Sequence, residues 1–190
     1  MNPLQHRRIV LATDLSARCD RAFERAVVLA REWDARLTVA HALEREPVGR
    51  GLSLRWRGID VERQEAESQI LADLQRAGIA ADVVIRQNSA EELIGELTKK
   101  KLYDLIVAGI GREIGLTRAI HGSTLEVLAR KSVAPVLAVK SPVRGSYDSI
   151  VVGTNFSDGS RAAIQATLQL FRHAQVTALH AYRRPRESFG

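Results

Sequence analysis

Residues 8–16, Arg-Ile-Val-Leu-Ala-Thr-Asp-Leu-Ser, return at residues 149–157 as Ser-Ile-Val-Val-Gly-Thr-Asn-Phe-Ser. The correspondence continues through Ala22 and Ala163, Leu29 and Leu170, and Arg31 and Arg172. After a two-residue deletion, residues 35–42 match residues 174–181, and both stretches end in His-Ala. A chain that repeats an apolar strand, a Thr-Asp/Asn-x-Ser turn, a helix and a second strand is built from strand–helix–strand units. Residues 1–140 then form one full unit, and residues 148–190 form the opening β-α-β of a second copy. Residues 141–147, with their Ser, Pro and Gly, read as the linker.

Within the first unit, the periodicity alternates between extended and helical. Residues 8–13 are a continuous apolar strand of the kind buried on both faces. Residues 17–33 carry Ala22, Phe23, Ala26, Val27, Ala30 and Trp33 on one helical stripe. A second strand spans 37–43, and residues 44–59, rich in arginine and glycine and holding Trp56, read as a long loop. A helix follows over 60–77, capped by Asp60, with Ala66, Ile70, Leu74 and Ala77 inward and Gly78 at its end. Residues 82–86 give a third strand. Ser89-Ala90-Glu91-Glu92 is a capping box opening a helix to Lys101. Strands over 104–108 and 135–140 flank a helix over 122–131. Five strands alternating with four helices predict an α/β fold, an open parallel sheet covered on both faces. Ligands of such sheets sit beyond the carboxyl ends of the strands.

The stretch from Gly109 to Thr124, GIGREIGLTRAIHGST, follows the apolar run 105–108 and ends where a helix can begin. Backbone N–H groups and the positive end of a helix make such a loop suited to a phosphate. Other chemistries fit less well. His6, His41, His121, His173 and His180 have no metal-ligand spacing, so no zinc site is expected. Ser123 is not in G-x-S-x-G, and no lysine precedes it as in G-x4-G-K-[ST]. His41 and His180 occupy matching strand ends, which points to a shared packing or turn role. His121 reads as a loop histidine beside Gly122.

Composition bounds the partners. The net charge is +6, but the arginines are spread along the chain with no aromatic interleaving, so no nucleic-acid surface is expected. No apolar run approaches the roughly 20 residues that cross a bilayer. A single cysteine, Cys19, allows no internal disulfide and reads as a packing residue near a helix start, consistent with a cytoplasmic setting.

These residues resemble the universal stress protein family. The first glycine of its G-x2-G-x9-G-[ST] motif matches Gly109, and its last pair matches Gly122-Ser123, while the middle glycine is replaced by Arg112. The turn of residues 12–16 and the strand ending of residues 39–42 also match. The resemblance implies an adenine-nucleotide α hydrolase-like fold with strand order 3-2-1-4-5 and, for the second copy, a truncated repeat. It implies ATP, with or without Mg²⁺, as cofactor. Carried over by position, Asp14 meets the ribose and adenine side, and Ala40 lies beside the adenine through its backbone. Gly109, Ile110 and Gly111 line the ribose and phosphate loop, and Gly122, Ser123 and Thr124 hold the phosphates. Arg112 either grips the phosphates from the rim or occupies their place.

The expected function is a cytoplasmic stress-response protein that binds ATP or a related adenine nucleotide as a regulator, with at most slow hydrolysis. The alternative is a dimeric module without a ligand, pairing across its fifth strand. A homodimer is expected in either case, and the second copy is expected to dock on the first unit or on a partner.

Overall fold

The computed structural model describes residues 6–17, 19–43, 52–99, 103–110 and 124–182. Strand β1 (Arg8–Thr13), helix α1 (Asp20–Glu32), β2 (Arg36–Ala42), α2 (Leu52–Ala77), β3 (Ala81–Arg86), α3 (Ala90–Thr98), β4 (Leu105–Gly109), α4 (Thr124–Lys131) and β5 (Val136–Val139) follow in order. All strands pair in parallel, in the order β3-β2-β1-β4-β5. The chain divides into two compact units, Met1–Arg144 and Gly145–Gly190.

The continuous apolar character of β1 is explained by its central place, because Ile9, Val10 and Leu11 are all fully buried. Alternate residues face opposite layers. Val10, Ala40 and Ile106 pack with Leu93 and Ile94 of α3 and Leu128 of α4. On the opposite face, α1 lies against β1, β2, β4 and β5, and α2 lies against β3. Each large side chain buried this way contributes about 1.5–3 kcal/mol.

The termini of the helices follow their caps. Ser89 accepts from the Glu92 N–H at 3.2 Å, and the Glu92 carboxylate accepts from the Ser89 N–H, so the capping box forms. Gly78 ends α2 with φ +60°, a conformation that glycine adopts without steric cost. Ala66, Ile70 and Leu74 are buried as their spacing predicts.

Three boundaries differ from the sequence reading by about one helical turn or more. Helix α2 begins at Leu52, so the expected loop over 44–59 is cut short, Trp56 lies in a helix, and Asp60 is an interior residue. Gly58 was the misleading signal: in a helix it costs about 1 kcal/mol relative to alanine, which the helix formers around it offset. Helix α1 starts at Asp20 and not at residue 17, because residues 13–16 are held in a hydrogen-bonded turn. Helix α3 ends at Thr98, short of Lys101, with Lys99 as its cap and the Thr98 hydroxyl donating to the Ile94 carbonyl at 2.8 Å. Trp33 caps α1 half-buried, with the Arg7 guanidinium 4.8 Å from its ring centroid.

The second unit holds strand β6 (Ser149–Gly153), helix α5 (Asp158–Leu170) and strand β7 (Gln175–Leu179). β6 and β7 form a two-stranded parallel sheet with α5 on it. Val152 and Leu170 are its buried apolar residues, whereas Val151, Leu168 and Leu179 are exposed.

Candidate functional site at the sheet switch point

The chain winds outward from β1 through β2 to β3, then restarts at β4 and moves the other way to β5. The winding reverses between β1 and β4, the place where open α/β sheets take their ligands, beyond the carboxyl ends of the strands. The register fixes what lies at that edge. Ala12 is level with Ala40 on β2 and with Ala108 on β4, and Ala108 is level with Ala138 on β5. Four alanines therefore form one row across β2, β1, β4 and β5, leaving little side-chain bulk on the face that carries α3 and α4.

One residue beyond this row stand Thr13, His41 and Gly109, and two beyond stand Asp14 and Ile110. Four of the sequence-predicted site residues, Asp14, Ala40, Gly109 and Ile110, are thus gathered at one edge of three neighbouring strands. Ala40 is only 2% exposed, so it can meet a ligand through its backbone alone. Ile110 is 42% exposed just past the end of β4. Gly111, Arg112, Gly122 and Ser123 lie outside the described residues, as does His121. Thr124 is the first residue of α4.

The β1–α1 turn is tightly specified by short polar side chains. The Thr13 hydroxyl oxygen accepts from the Leu15 N–H at 3.0 Å, and Asp14 Oδ1 accepts from the Ser16 N–H at 2.9 Å and the Ser16 hydroxyl at 2.6 Å. These bonds hold Leu15 in the left-handed region, at φ 59°. Partial burial disfavours the Asp14 carboxylate, but the hydrogen bonds from Ser16 and Cys19 outweigh it and hold its pKa below the ordinary value. Asp14 is therefore an exposed anion held in one orientation, a hydrogen-bond acceptor at the strand end. Burial pushes the Cys19 thiol up, so it stays protonated near neutrality.

His41 closes the floor of the turn. Its Nδ1 lies 2.9 Å from the Thr13 carbonyl oxygen. A carbonyl only accepts, so Nδ1 carries the proton. The second unit repeats this arrangement with Asn155 in place of Asp14. Asn155 Oδ1 accepts from the Ser157 N–H at 3.1 Å and its hydroxyl at 2.6 Å. Thr154 accepts from the Phe156 N–H, and His180 Nδ1 donates to the Thr154 carbonyl at 2.7 Å. The shared turn role expected for the two histidines is what they perform.

Sequence reasoning missed Ser16 and Gln69. Ser16 is the main partner of Asp14, and the Thr-Asp-x-Ser spacing was the available signal. Gln69 of α2 donates to the Leu15 carbonyl at 3.4 Å across the turn. A cavity of about 20 Å³ lies there, lined by Thr13, Ser16, Cys19, Val39, Gln69 and Ile70, with room for one water and not for a nucleobase. Among the described residues, no three His, Cys, Asp or Glu side chains gather as a metal site. No helix among them is long and apolar enough to cross a membrane.

The same architecture is found in known proteins. A solved universal stress protein from Archaeoglobus fulgidus superposes on 97% of this chain and 69% of its own, with a TM-score of 0.69 and 18% identity. UspA from Lactobacillus plantarum matches 72% of this chain and 99% of its own, with a TM-score of 0.60 and 20% identity. In sequence, a universal stress protein of Methanocaldococcus jannaschii is 30% identical over 142 residues, which is 72% of this chain and 84% of that protein. The family model matches residues 5–140, the whole stretch from β1 through β5 and every element of the switch-point edge. On that match, on the relative's identity and on the 3-2-1-4-5 sheet, the chain belongs to the universal stress protein family.

Proposed function

We propose that this protein binds an adenine nucleotide, with ATP and Mg²⁺ as the foremost candidate, and acts as a cytoplasmic stress-response regulator with at most slow hydrolysis. The observation that carries this reading is the register that brings Asp14, Ala40, Gly109 and Ile110 to one edge where the winding reverses. In this reading Asp14 accepts from ribose hydroxyls, and the Ala40 backbone borders the adenine. Gly109, Ile110 and Gly111 line the sugar and phosphate path. Gly122, Ser123 and Thr124 donate to phosphate oxygens at the start of α4, and Arg112 reaches the phosphates from the rim. Isothermal titration of the full chain with ATP and Mg²⁺ tests it. Saturable heat at one site per chain is expected, and no heat at millimolar nucleotide overturns it.

A second reading is a dimeric module without a ligand. It is favoured by β5, an apolar strand at the outer edge of the five-stranded sheet that pairs with β4 alone among the described residues. Nucleotide released by heat from the purified protein supports the first reading, and a nucleotide-free dimer supports the second.

A further inference from the structure

Ser16 gives both of its donors to one oxygen of Asp14. Its N–H lies 2.9 Å and its hydroxyl 2.6 Å from Asp14 Oδ1. Two donors from one residue fix the plane of the carboxylate and leave its second oxygen turned away from Ser16. The Cys19 thiol, a weak donor, adds to this hold. The other acceptors of the turn already have donors. The Thr13 hydroxyl takes the Leu15 N–H at 3.0 Å, the Thr13 carbonyl takes His41 Nδ1 at 2.9 Å, and the Ser16 carbonyl takes the Cys19 N–H at 2.8 Å. A carboxylate has about four lone-pair sites, so acceptor capacity remains on Asp14. Asp14 is exposed, and it is the acceptor that this turn offers to a ligand.

The second unit shows what the same hold does to a side chain with two different ends. Asn155 Oδ1 accepts from the Ser157 N–H at 3.1 Å and from the Ser157 hydroxyl at 2.6 Å. A backbone N–H only donates, so the atom it meets is the amide oxygen, and the amide NH₂ is turned away from Ser157. One turn therefore presents a neutral donor, and the other presents an acceptor that carries negative charge. A carboxylate is symmetric, so Asp14 presents an acceptor whichever of its oxygens Ser16 holds.

We infer that Ser16 is a positioning residue that makes the Asp14 end of the site acceptor-only, so that the site takes nucleotides with free ribose hydroxyls and rejects those with a phosphate on the ribose. The inference rests on the adenine-nucleotide reading above and adds which sugars that site takes. A ribose hydroxyl donates to the outward oxygen of Asp14, and the bond is strengthened by the charge. A phosphate at the ribose 2′ or 3′ position brings a second negative charge to the carboxylate and replaces the donor by acceptors. Ser16 acts through Asp14. Without its hydroxyl the carboxylate keeps one bond instead of two, and its plane is no longer fixed toward the sugar.

The test titrates the full chain with ATP and with 2′,3′-dideoxy-ATP, and compares AMP with adenosine 3′,5′-bisphosphate as competitors of ATP. ATP is expected to bind about tenfold more tightly than its dideoxy analogue. AMP is expected to displace ATP at about a tenth of the bisphosphate concentration or less. Ser16→Ala should shrink the gap between ATP and the dideoxy analogue to about threefold. Ser16→Thr, which keeps the hydroxyl, should restore it. Asp14→Asn keeps the turn, as Asn155 does, but turns an NH₂ outward, and should abolish the disadvantage of the bisphosphate. Ser157→Ala, the matching change in the second unit, should alter none of these ratios. Circular dichroism confirms that each variant is folded. ATP bound no more tightly than dideoxy-ATP, or a bisphosphate that competes as well as AMP, overturns the inference and leaves the nucleotide reading standing. So does a Ser16→Ala chain that loses affinity equally for ATP and dideoxy-ATP, because the role of Ser16 is then structural alone. No heat with ATP removes the nucleotide reading and this inference with it.

Discussion

The β1–α1–β2 segment and the β6–α5–β7 segment have nearly the same local structure and very different surroundings. Both turns place a non-glycine residue at positive φ, 59° for Leu15 and 64° for Phe156, and both close with a histidine donating to a threonine carbonyl. Yet Ile9, Val10 and Leu11 are fully buried, whereas in β6 only Val152 is buried. The comparison separates two kinds of information. Turn geometry is set by short polar side chains within a few residues of one another. Burial, and with it stability and a complete ligand edge, depends on β3, β4 and β5 and on the helices between them, which pack on the first segment and have no described counterpart on the second.

The largest expected effect follows from burial. Ile9→Ala should cost about 3 kcal/mol in the first unit, the range for a fully buried isoleucine that leaves a cavity. Ile150→Ala, at the equivalent half-buried position, should cost about 1 kcal/mol. Urea unfolding of the two variants checks the ratio. Equal costs would mean that the second unit is as well covered as the first. The next effect concerns the ligand. Asp14→Ala should weaken ATP binding by about tenfold to a hundredfold, the loss of a hydrogen bond to a charged group. Asn155→Ala should leave it unchanged, because among the described residues no strand equivalent to β4 pairs beside that turn. Calorimetric titration of both variants decides it.

How far these surroundings could be read from the chain depended on the range of the signal. The strands, the capping box at Ser89, the stop at Gly78 and the repeat itself are local patterns, and all are present in the structure. The start of α2 was obscured because Gly58 disfavours a helix by about 1 kcal/mol, whereas the leucines and arginines before it are good helix formers whose summed preference outweighs it. At the site, the positions of Asp14 and Gly109 were legible from the Thr-Asp-x-Ser spacing and the glycine after an apolar run. The alanine row was not, because Ala12, Ala40, Ala108 and Ala138 lie far apart in sequence and meet only through strand register.

A smaller effect separates the two helix starts. Ser157 both donates to Asn155 and caps α5, its oxygen accepting from the Ser160 N–H at 3.3 Å. Ser16 makes the matching bond to Asp14, but α1 begins four residues later and its cap residue, Cys19, makes no side-chain capping bond. Ser157→Ala should therefore cost about 1 kcal/mol, a lost cap. Ser16→Ala should cost about half that, a single exposed hydrogen bond. Thermal unfolding measures both. If the two costs are equal, the capping contribution assigned to Ser157 is wrong.

The smallest difference is in acid. Hydrogen bonds depress the folded pKa of Asp14 despite its partial burial, so its contribution to stability is present above the unfolded value, about 3.9. That contribution is lost as pH falls through the folded value, because the protonated carboxyl accepts the Ser16 bonds less strongly. Solvent screens much of the effect at this exposed position, so it shows only as a slightly steeper loss of stability below about pH 4. Asn155 holds the matching turn with a neutral amide and contributes no such slope. Asp14→Asn should then flatten the acid limb of the urea midpoint in the first unit, and Asn155→Asp should introduce one in the second. An acid limb unchanged by Asp14→Asn would show that the carboxylate gains nothing from Ser16. The turn would then be held by the Thr13 hydroxyl and the His41 ring.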